Sequence, residues 1–251
     1  MRCLDDRIVY AVGDVHGRLD LLEILIEAVR TDLEACAKPG VLIPLGDYVD
    51  RGPDCRGVIE RLIALAEESW IRAAPLRGNH EQLMLDFLEH PESGRNWMTL
   101  GGAATLASYG VLPPRRNADA NDWIEVRNRL ASVLPRSHYR LLSTLPFCIS
   151  AGDYFFVHAG VRPDRPLNAQ RQRDMLWIRD SFLRAPDLGF DKVIVHGHST
   201  STQPMIERAR IGIDTGAYAT GVLTCLRLEG SARALIRAEA KGVELMALPA
   251  F

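Results

Sequence analysis

The stretch Leu45-Gly46-Asp47-Tyr48-Val49-Asp50-Arg51-Gly52, LGDYVDRG, follows the apolar run VLIP at 41–44. It reads as a buried strand opening into a loop that carries two aspartates and an arginine between glycines. A surface turn uses the same residue types, so the meaning of the stretch depends on the rest of the chain.

On either side the chain alternates. RIVYAV (7–12) is a short run rich in β-formers, and residues 18–37 place Leu22, Leu25, Ile26, Val29 and Leu33 on one helical face. Pro39-Gly40 ends that helix, VLIPL (41–45) is the second strand, residues 56–68 form a second amphipathic helix, and IRAAPL (71–76) is a third strand. This β-α-β-α-β order implies parallel strands joined by right-handed crossovers.

From about 90 to 146 the pattern turns helical, with HPESGRNWMTLGGAATLASYG and DWIEVRNRLASVL separated by a Pro- and Arg-rich loop. We expect a helical lid inserted into one domain that spans 1–251. FCIS and YFFVHAG (147–160) then read as a hairpin-like pair of strands, followed by a helix over 169–185. Strands at 192–197, 210–214, 222–228 and 234–239 complete an α/β chain, with no internal repeat.

Composition narrows the class. At 251 residues the chain can bury a sizeable core, and 47% apolar with 25% charged residues is ordinary for a soluble globular protein. With a net charge of −2, nothing marks a general nucleic-acid binder, and no nucleic-acid partner is expected. The 5 cysteines (Cys3, Cys36, Cys55, Cys148, Cys225) are scattered and never form CxxC, which argues against a disulfide framework or a cysteine zinc site. Asp5 and Asp6 interrupt the N-terminus where a signal peptide needs an apolar stretch, and no apolar run reaches the length of a membrane span. The expectation is a soluble, cytoplasmic protein with no membrane partner.

The chemistry lies at the strand ends. After YAV comes Gly13-Asp14-Val15-His16-Gly17; after LIPL, Gly46-Asp47; after APL, Arg77-Gly78-Asn79-His80-Glu81; after YFFV, His158-Ala159-Gly160; after VIV, His196-Gly197-His198. Of 7 histidines, only His90 and His138 fall outside these clusters. Ligands bind at the carboxyl ends of parallel strands, and all five runs deliver Asp, His or Asn to that edge. Each residue alone reads as a cap or a hydrogen-bonded structural group; their convergence does not.

Asp, His and Asn together suit a borderline-hard divalent ion. Six candidates exceed one tetrahedral zinc site and suit two metals about 3.5–4 Å apart that share a carboxylate. Competing motifs fail: there is no P-loop, and HEQLM at 80–84 is not HExxH, because position 84 is Met.

GDVHG, GDYVDRG and GNHE, in this order and about 33 residues apart, resemble the calcineurin-like metallophosphoesterases, whose core is a β-sandwich flanked by helices. The ending Asp50-Arg51-Gly52, His158 in VHAG and His198 in HGHS narrow the resemblance to the phosphoprotein phosphatase family, in its bacterial and phage serine/threonine branch. DMLWIRDSF (174–182) and IGIDTGAYATGVLTCLRLE (211–229) extend it over nearly the whole chain.

The resemblance implies that Asp14 and His16 bind one metal, Asp47 bridges, and Asn79, His158 and His198 complete the second. It also implies attack on phosphorus by a water bridging two divalent ions, Mn²⁺ first with Fe²⁺ or Zn²⁺ possible. Arg51 becomes a phosphate clamp, His80 the general acid oriented by Asp50, and Arg179 a second clamp. His196 is left as either a support behind the ligands or a structural residue, and Asp214 and Tyr218 as pocket residues without a role. The expected function is a phosphomonoesterase acting on phosphoserine, phosphothreonine and small phosphate esters. The alternative is a symmetrical diadenosine tetraphosphate hydrolase, for which Trp97, Tyr109, Arg115 and Arg116 would supply nucleotide contacts. A non-catalytic phospho-ligand module is disfavoured because every motif position is filled, and a nuclease by the acidic balance.

Overall fold

The computed structural model of the chain describes residues 2–4 and 6–249. The first third reads β1 (Ile8–Val12), α1 (Leu19–Cys36), β2 (Gly40–Pro44), α2 (Cys55–Leu65), β3 (Ile71–Ala73) and α3 (Asn79–Glu89). A helical stretch follows: α4 (Gly94–Thr99), α5 (Gly102–Ser108), α6 (Ala120–Val133) and α7 (Arg136–Thr144). Next come β4 (Cys148–Ala151), β5 (Tyr154–Val157), α8 (Gln172–Trp177), α9 (Asp180–Leu183) and β6 (Val193–His196). The chain closes with β7 (Met205–Ile206), β8 (Arg210–Gly212), α10 (Ala217–Thr220), β9 (Leu223–Glu229), β10 (Ala232–Glu239) and β11 (Gly242–Leu248).

The strands form two sheets, ordered β11-β10-β9-β1-β2-β3 and β4-β5-β6-β8-β7. β1, β2 and β3 run parallel in the first; β5, β6 and β8 run parallel in the second. The strand ends anticipated on one sheet therefore come from two. Apolar periodicity marks where a strand lies and stops, not which sheet it joins.

Alternation along the strands builds the layers. Val9 and Ala11 of β1 meet Tyr154 and Phe156 of β5 and Val193 and Val195 of β6 in the core between the sheets. Ile8, Tyr10 and Val12 face the opposite way, onto Leu22, Leu25 and Val29 of α1 and Val58 and Leu62 of α2. Phe155 and Val157 pack with Met175, Ile178 and Phe182 beneath the second sheet. The result is a two-sheet sandwich with helices on both outer faces. The helices between residues 91 and 144 add Trp97, Leu106, Tyr109, Trp123, Leu130 and Leu142 to the first helical layer.

Several elements differ from expectation for identifiable reasons. The third strand ends at Ala73, because Pro75 has no N–H for the ladder, although Ala74 and Leu76 still donate to Leu42 and Pro44. The helix expected over 90–110 splits at Gly101, which sits at φ +111°. The helix over 169–185 breaks at Ile178, whose backbone is extended, and this turns Trp177 and Arg179 away from a single helix axis. α3, α7, α10, β7 and β11 lie outside the elements expected from the sequence. β11 is an edge strand with little burial, so its apolar alternation is weak. No helix among the described residues is long and apolar enough to cross a membrane.

Candidate metal centre and active site

The loops after β1 and β2 carry Asp14 with His16, and Asp47; Asn79 and His80 open α3 beyond β3; the loops after β5, β6 and β8 carry His158, His198 and Asp214. All of these side chains are buried. Among the described residues, two sets of three have ligand atoms within 4.8 Å of one another: His16, Asp47 and His80, and Asp47, His158 and His198. Asp47 alone belongs to both, the geometry of a shared carboxylate.

The donor set tests well for cations. His16 Nδ1 donates to the Val49 carbonyl at 2.7 Å, which leaves Nε2 with a lone pair 3.5 Å from Asp47 Oδ2 and no hydrogen-bond partner. His158 Nδ1 donates to the Leu45 carbonyl at 3.0 Å. Its Nε2 lone pair then faces Asn79 Oδ1 at 2.8 Å and Asp47 Oδ1 at 3.4 Å. Acceptors held together in this way are what a divalent ion binds, and a ring N–H fixed on a backbone carbonyl is the usual support of a ligating histidine. His198 Nε2 is likewise buried and unpartnered.

Electrostatics agree. Burial opposes charge on Asp47, yet His158, His80, His16 and His198 around it hold its carboxyl far below the usual range. Burial drives His16 down to about 3 and His198 down to about 2, so both rings stay neutral and available as ligands. Asp14 is pushed up by burial, by Asp214 and by Asp47, a like-charge cluster that a cation would relieve.

Beside this centre stand Asp50 and Arg51 of the opening stretch, together with His80. His80 Nδ1 lies 2.6 Å from Asp50 Oδ2, and its Nε2 is 3.2 Å from Arg51 Nη2 and 3.7 Å from Asp47 Oδ2. Burial would lower the His80 pKa, but Asp47 and Asp50 raise it above its ordinary value. The Arg51 guanidinium lies over the Tyr218 ring, 4.8 Å from its centroid, and that ring meets His16 edge-on at 5.4 Å.

The backbone is strained where the chemistry is. Among the described residues, six other than glycine have positive φ: Ala37, which ends α1, and His16, Asp47, Asp50, Arg51 and His198. Gly52 N–H donates to the Asp50 carbonyl and Ser199 N–H to the Gly197 carbonyl, making γ-turns of the rarer positive-φ kind centred on Arg51 and His198. Such strain persists only where surrounding contacts overdetermine it.

Glu81 supplies much of that support, and the sequence reading gave it no role although it ends the GNHE motif. Its carboxylate accepts N–H groups from Asp47 (2.8 Å), Tyr48 (2.7 Å), Val49 (3.3 Å) and Gly78 (2.8 Å). Burial and Asp47 push it up to about 7, against four donors that favour the carboxylate. Gly78 is required here, because a Cβ would come within 2.2 Å of Asp47 Oδ1. Glu81→Ala strands these donors in the core and is expected to cost about 3 kcal/mol or more; urea unfolding measures it.

Asp14 stands in neither set of three; both of its oxygens lie 3.1 Å from the His198 N–H. His196 points elsewhere, its ring 5.0 Å from Phe182 and its Nδ1 3.0 Å from the Gly197 carbonyl, so only His198 joins Asp47. Arg179 is the exposed residue just before α9, and its charge adds to the burial that lowers the His198 pKa. Asp214 accepts from Thr200 Oγ1 and Gly216 N–H. Trp97 and Tyr109 are buried and cannot meet a nucleotide. The exposed rings at the centre are Tyr218 (40%) and Trp177 (39%), the latter 6.1 Å from His198.

A family model described as calcineurin-like phosphoesterase matches residues 8–222, which contain every strand-end cluster above. The chain belongs to the calcineurin-like phosphoesterase family. It is a metallophosphoesterase, a family that uses divalent metals. Serine/threonine-protein phosphatase 1 of Salmonella typhimurium is 28% identical over 231 residues, covering 89% of this chain and 93% of that one. An asymmetrical bis(5'-nucleosyl)-tetraphosphatase of Anoxybacillus flavithermus is 24% identical over 236 residues, 86% of this chain and 88% of the relative. Among solved structures, the cold-active protein-tyrosine phosphatase of a psychrophilic Shewanella superposes with a TM-score of 0.56 at 17% identity, covering 99% and 83% of the two chains. That likeness concerns the fold of this phosphoesterase alone.

Proposed function

We propose that this phosphoesterase hydrolyses phosphoserine and phosphothreonine in proteins, and small phosphate esters, with two divalent metal ions. The observation that carries the reading is Asp47 shared between two donor sets, with Arg51 and His80 on its flank. Asp14, His16 and Asp47 would hold one ion, and Asp47, Asn79, His158 and His198 the other. When bound, such ions supply Lewis acidity and lower the pKa of water toward neutrality; Mn²⁺ is our first choice, with Fe²⁺ and Zn²⁺ suited to the same donors.

The protein's own groups do the rest. Arg51 offers its guanidinium fork to two phosphate oxygens, and the Tyr218 ring beneath it holds the plane of the fork. Arg179 adds a second positive charge from the His198 side. Water adds its oxygen to phosphorus as the ester P–O bond breaks, His80 gives the proton at Nε2 to the departing alkoxide, and the proton shed by the attacking water returns through solvent to His80. Asp50 fixes the other ring N–H and so sets tautomer and orientation.

A raised His80 pKa has a defined sign. The proton remains bound above the ordinary value of 6.5, so the acid persists there and is lost as pH rises through the raised value. The associated stability is full below 6.5 and is lost over the same interval. Turnover of phosphoserine peptide is expected to fall on that alkaline limb, and kcat against pH in wild type and His80→Ala checks that the limb belongs to His80.

The Salmonella relative spans more of both chains, at higher identity, than the tetraphosphatase, which favours the protein-phosphatase reading. One observation favours a second reading as a dinucleoside tetraphosphate hydrolase: Trp177 and Tyr218 offer two exposed rings beside the centre, where a nucleobase could stack. Assay of a phosphoserine peptide against diadenosine tetraphosphate, with the same manganese-loaded enzyme, separates them. We expect the peptide to give the higher kcat/KM; the reverse order establishes the second reading. Five free cysteines suit a reducing compartment, so we assign the cytoplasm.

A further inference from the structure

Asp50 and Arg51 sit in consecutive left-handed conformations and are gripped from outside by one short segment, residues 97–105. Trp97, on α4, donates its indole N–H at 2.8 Å to Asp50 Oδ2, the oxygen that also lies 2.6 Å from His80 Nδ1. Thr105, on α5, donates its hydroxyl to Asp50 Oδ1 at 2.5 Å and accepts the backbone N–H of the same aspartate at 2.9 Å. Between them the Gly101 carbonyl accepts the Arg51 N–H at 3.3 Å. Gly101 is itself left-handed, and a Cβ there would come within 2.8 Å of Arg51 Cγ. Trp97, Thr105 and Asp50 are fully buried, so water does not replace the bonds to the Asp50 carboxylate.

We propose that Trp97 and Thr105 are positioning residues for the reaction, clasping the Asp50 carboxylate so that His80 stays aimed at the leaving group. The proposal rests on the reading of His80 as the proton donor. A carboxylate turns broadly about its last torsion. Here Thr105 ties one oxygen to the residue's own backbone and Trp97 pins the other, so the ring bonded to Asp50 inherits a fixed direction. Neither residue touches substrate. The helices beyond α3 therefore do more than cover the first sheet: they hold the group that orients the acid. A packing role alone would need the Trp97 ring, tilted on Phe87 at 5.1 Å, but not its N–H, and would need no hydroxyl at position 105.

The test uses the full, metal-loaded chain with Thr105→Val and Trp97→Phe, each of which removes a donor and keeps most of the side-chain shape. Each is expected to lower kcat about tenfold to a hundredfold on a phosphoserine peptide, whose alkoxide needs the proton. On p-nitrophenyl phosphate, whose leaving group needs little protonation, the loss is expected to stay within about threefold. KM and bound metal should not change, and Thr105→Ser should restore turnover. The low-field proton resonance of the His80–Asp50 hydrogen bond, read without turnover, should persist in Thr105→Ser and shift or vanish in Thr105→Val. Either variant suffices if the other does not fold.

Equal losses on both substrates, or no loss on either, overturn the clasp. His80→Ala keeps the two readings apart. If it discriminates between the substrates while Thr105→Val and Trp97→Phe do not, the clasp is wrong and the acid stands. If His80→Ala does not discriminate, the acid reading itself fails.

Discussion

Asp47→Asn is expected to lower turnover on the order of a thousandfold or more, whatever the leaving group. Partners that merely orient metal ligands cost about 10–100-fold when replaced. The Asp47 carboxylate is common to both donor sets and is held by the His80 N–H at 3.1 Å, so no neighbour can take its place. The amide removes the negative charge that four histidines surround and leaves the ions' charges less compensated. Wild-type kcat on p-nitrophenyl phosphate by Asp47→Asn would remove the shared carboxylate from the account.

His80→Ala separates acid from ligand, because His80 lies in one of the donor sets and also bonds to Asp50. As a proton donor, its loss should cost about a hundredfold to ten-thousandfold on alkyl phosphates and much less on p-nitrophenyl phosphate. Metal content should be unchanged. A variant that loses metal makes His80 a ligand rather than the acid. Leaving-group dependence of kcat, read beside metal analysis, distinguishes these outcomes.

Much of this site is legible without coordinates because each donor follows an apolar run directly. A strand shows itself by burial on both faces, and its end by the Gly-Asp or His-Ala-Gly that stops the run. The two-sheet arrangement is not legible in that way, since β1 and β5 have similar apolar character and differ only in their hydrogen-bonded neighbours. Nor is the clasp: Trp97 and Asp50 stand 47 residues apart, and a tryptophan in a helix reads as packing. The break at Ile178 carries no proline or glycine to announce it, yet it sets the Trp177 ring beside His198. Glu81 is a different case. The motif contained it, but its task is to receive backbone N–H groups from two loops, a role visible only once those loops converge.

Counting the metal ions in the purified chain after saturation with Mn²⁺ tests the central claim most directly. The shared position of Asp47 predicts about two equivalents in the wild type and a clear loss in Asp47→Asn, with Thr105→Val unchanged. A single equivalent in the wild type, or full occupancy without the Asp47 carboxylate, would contradict a dinuclear centre built around it.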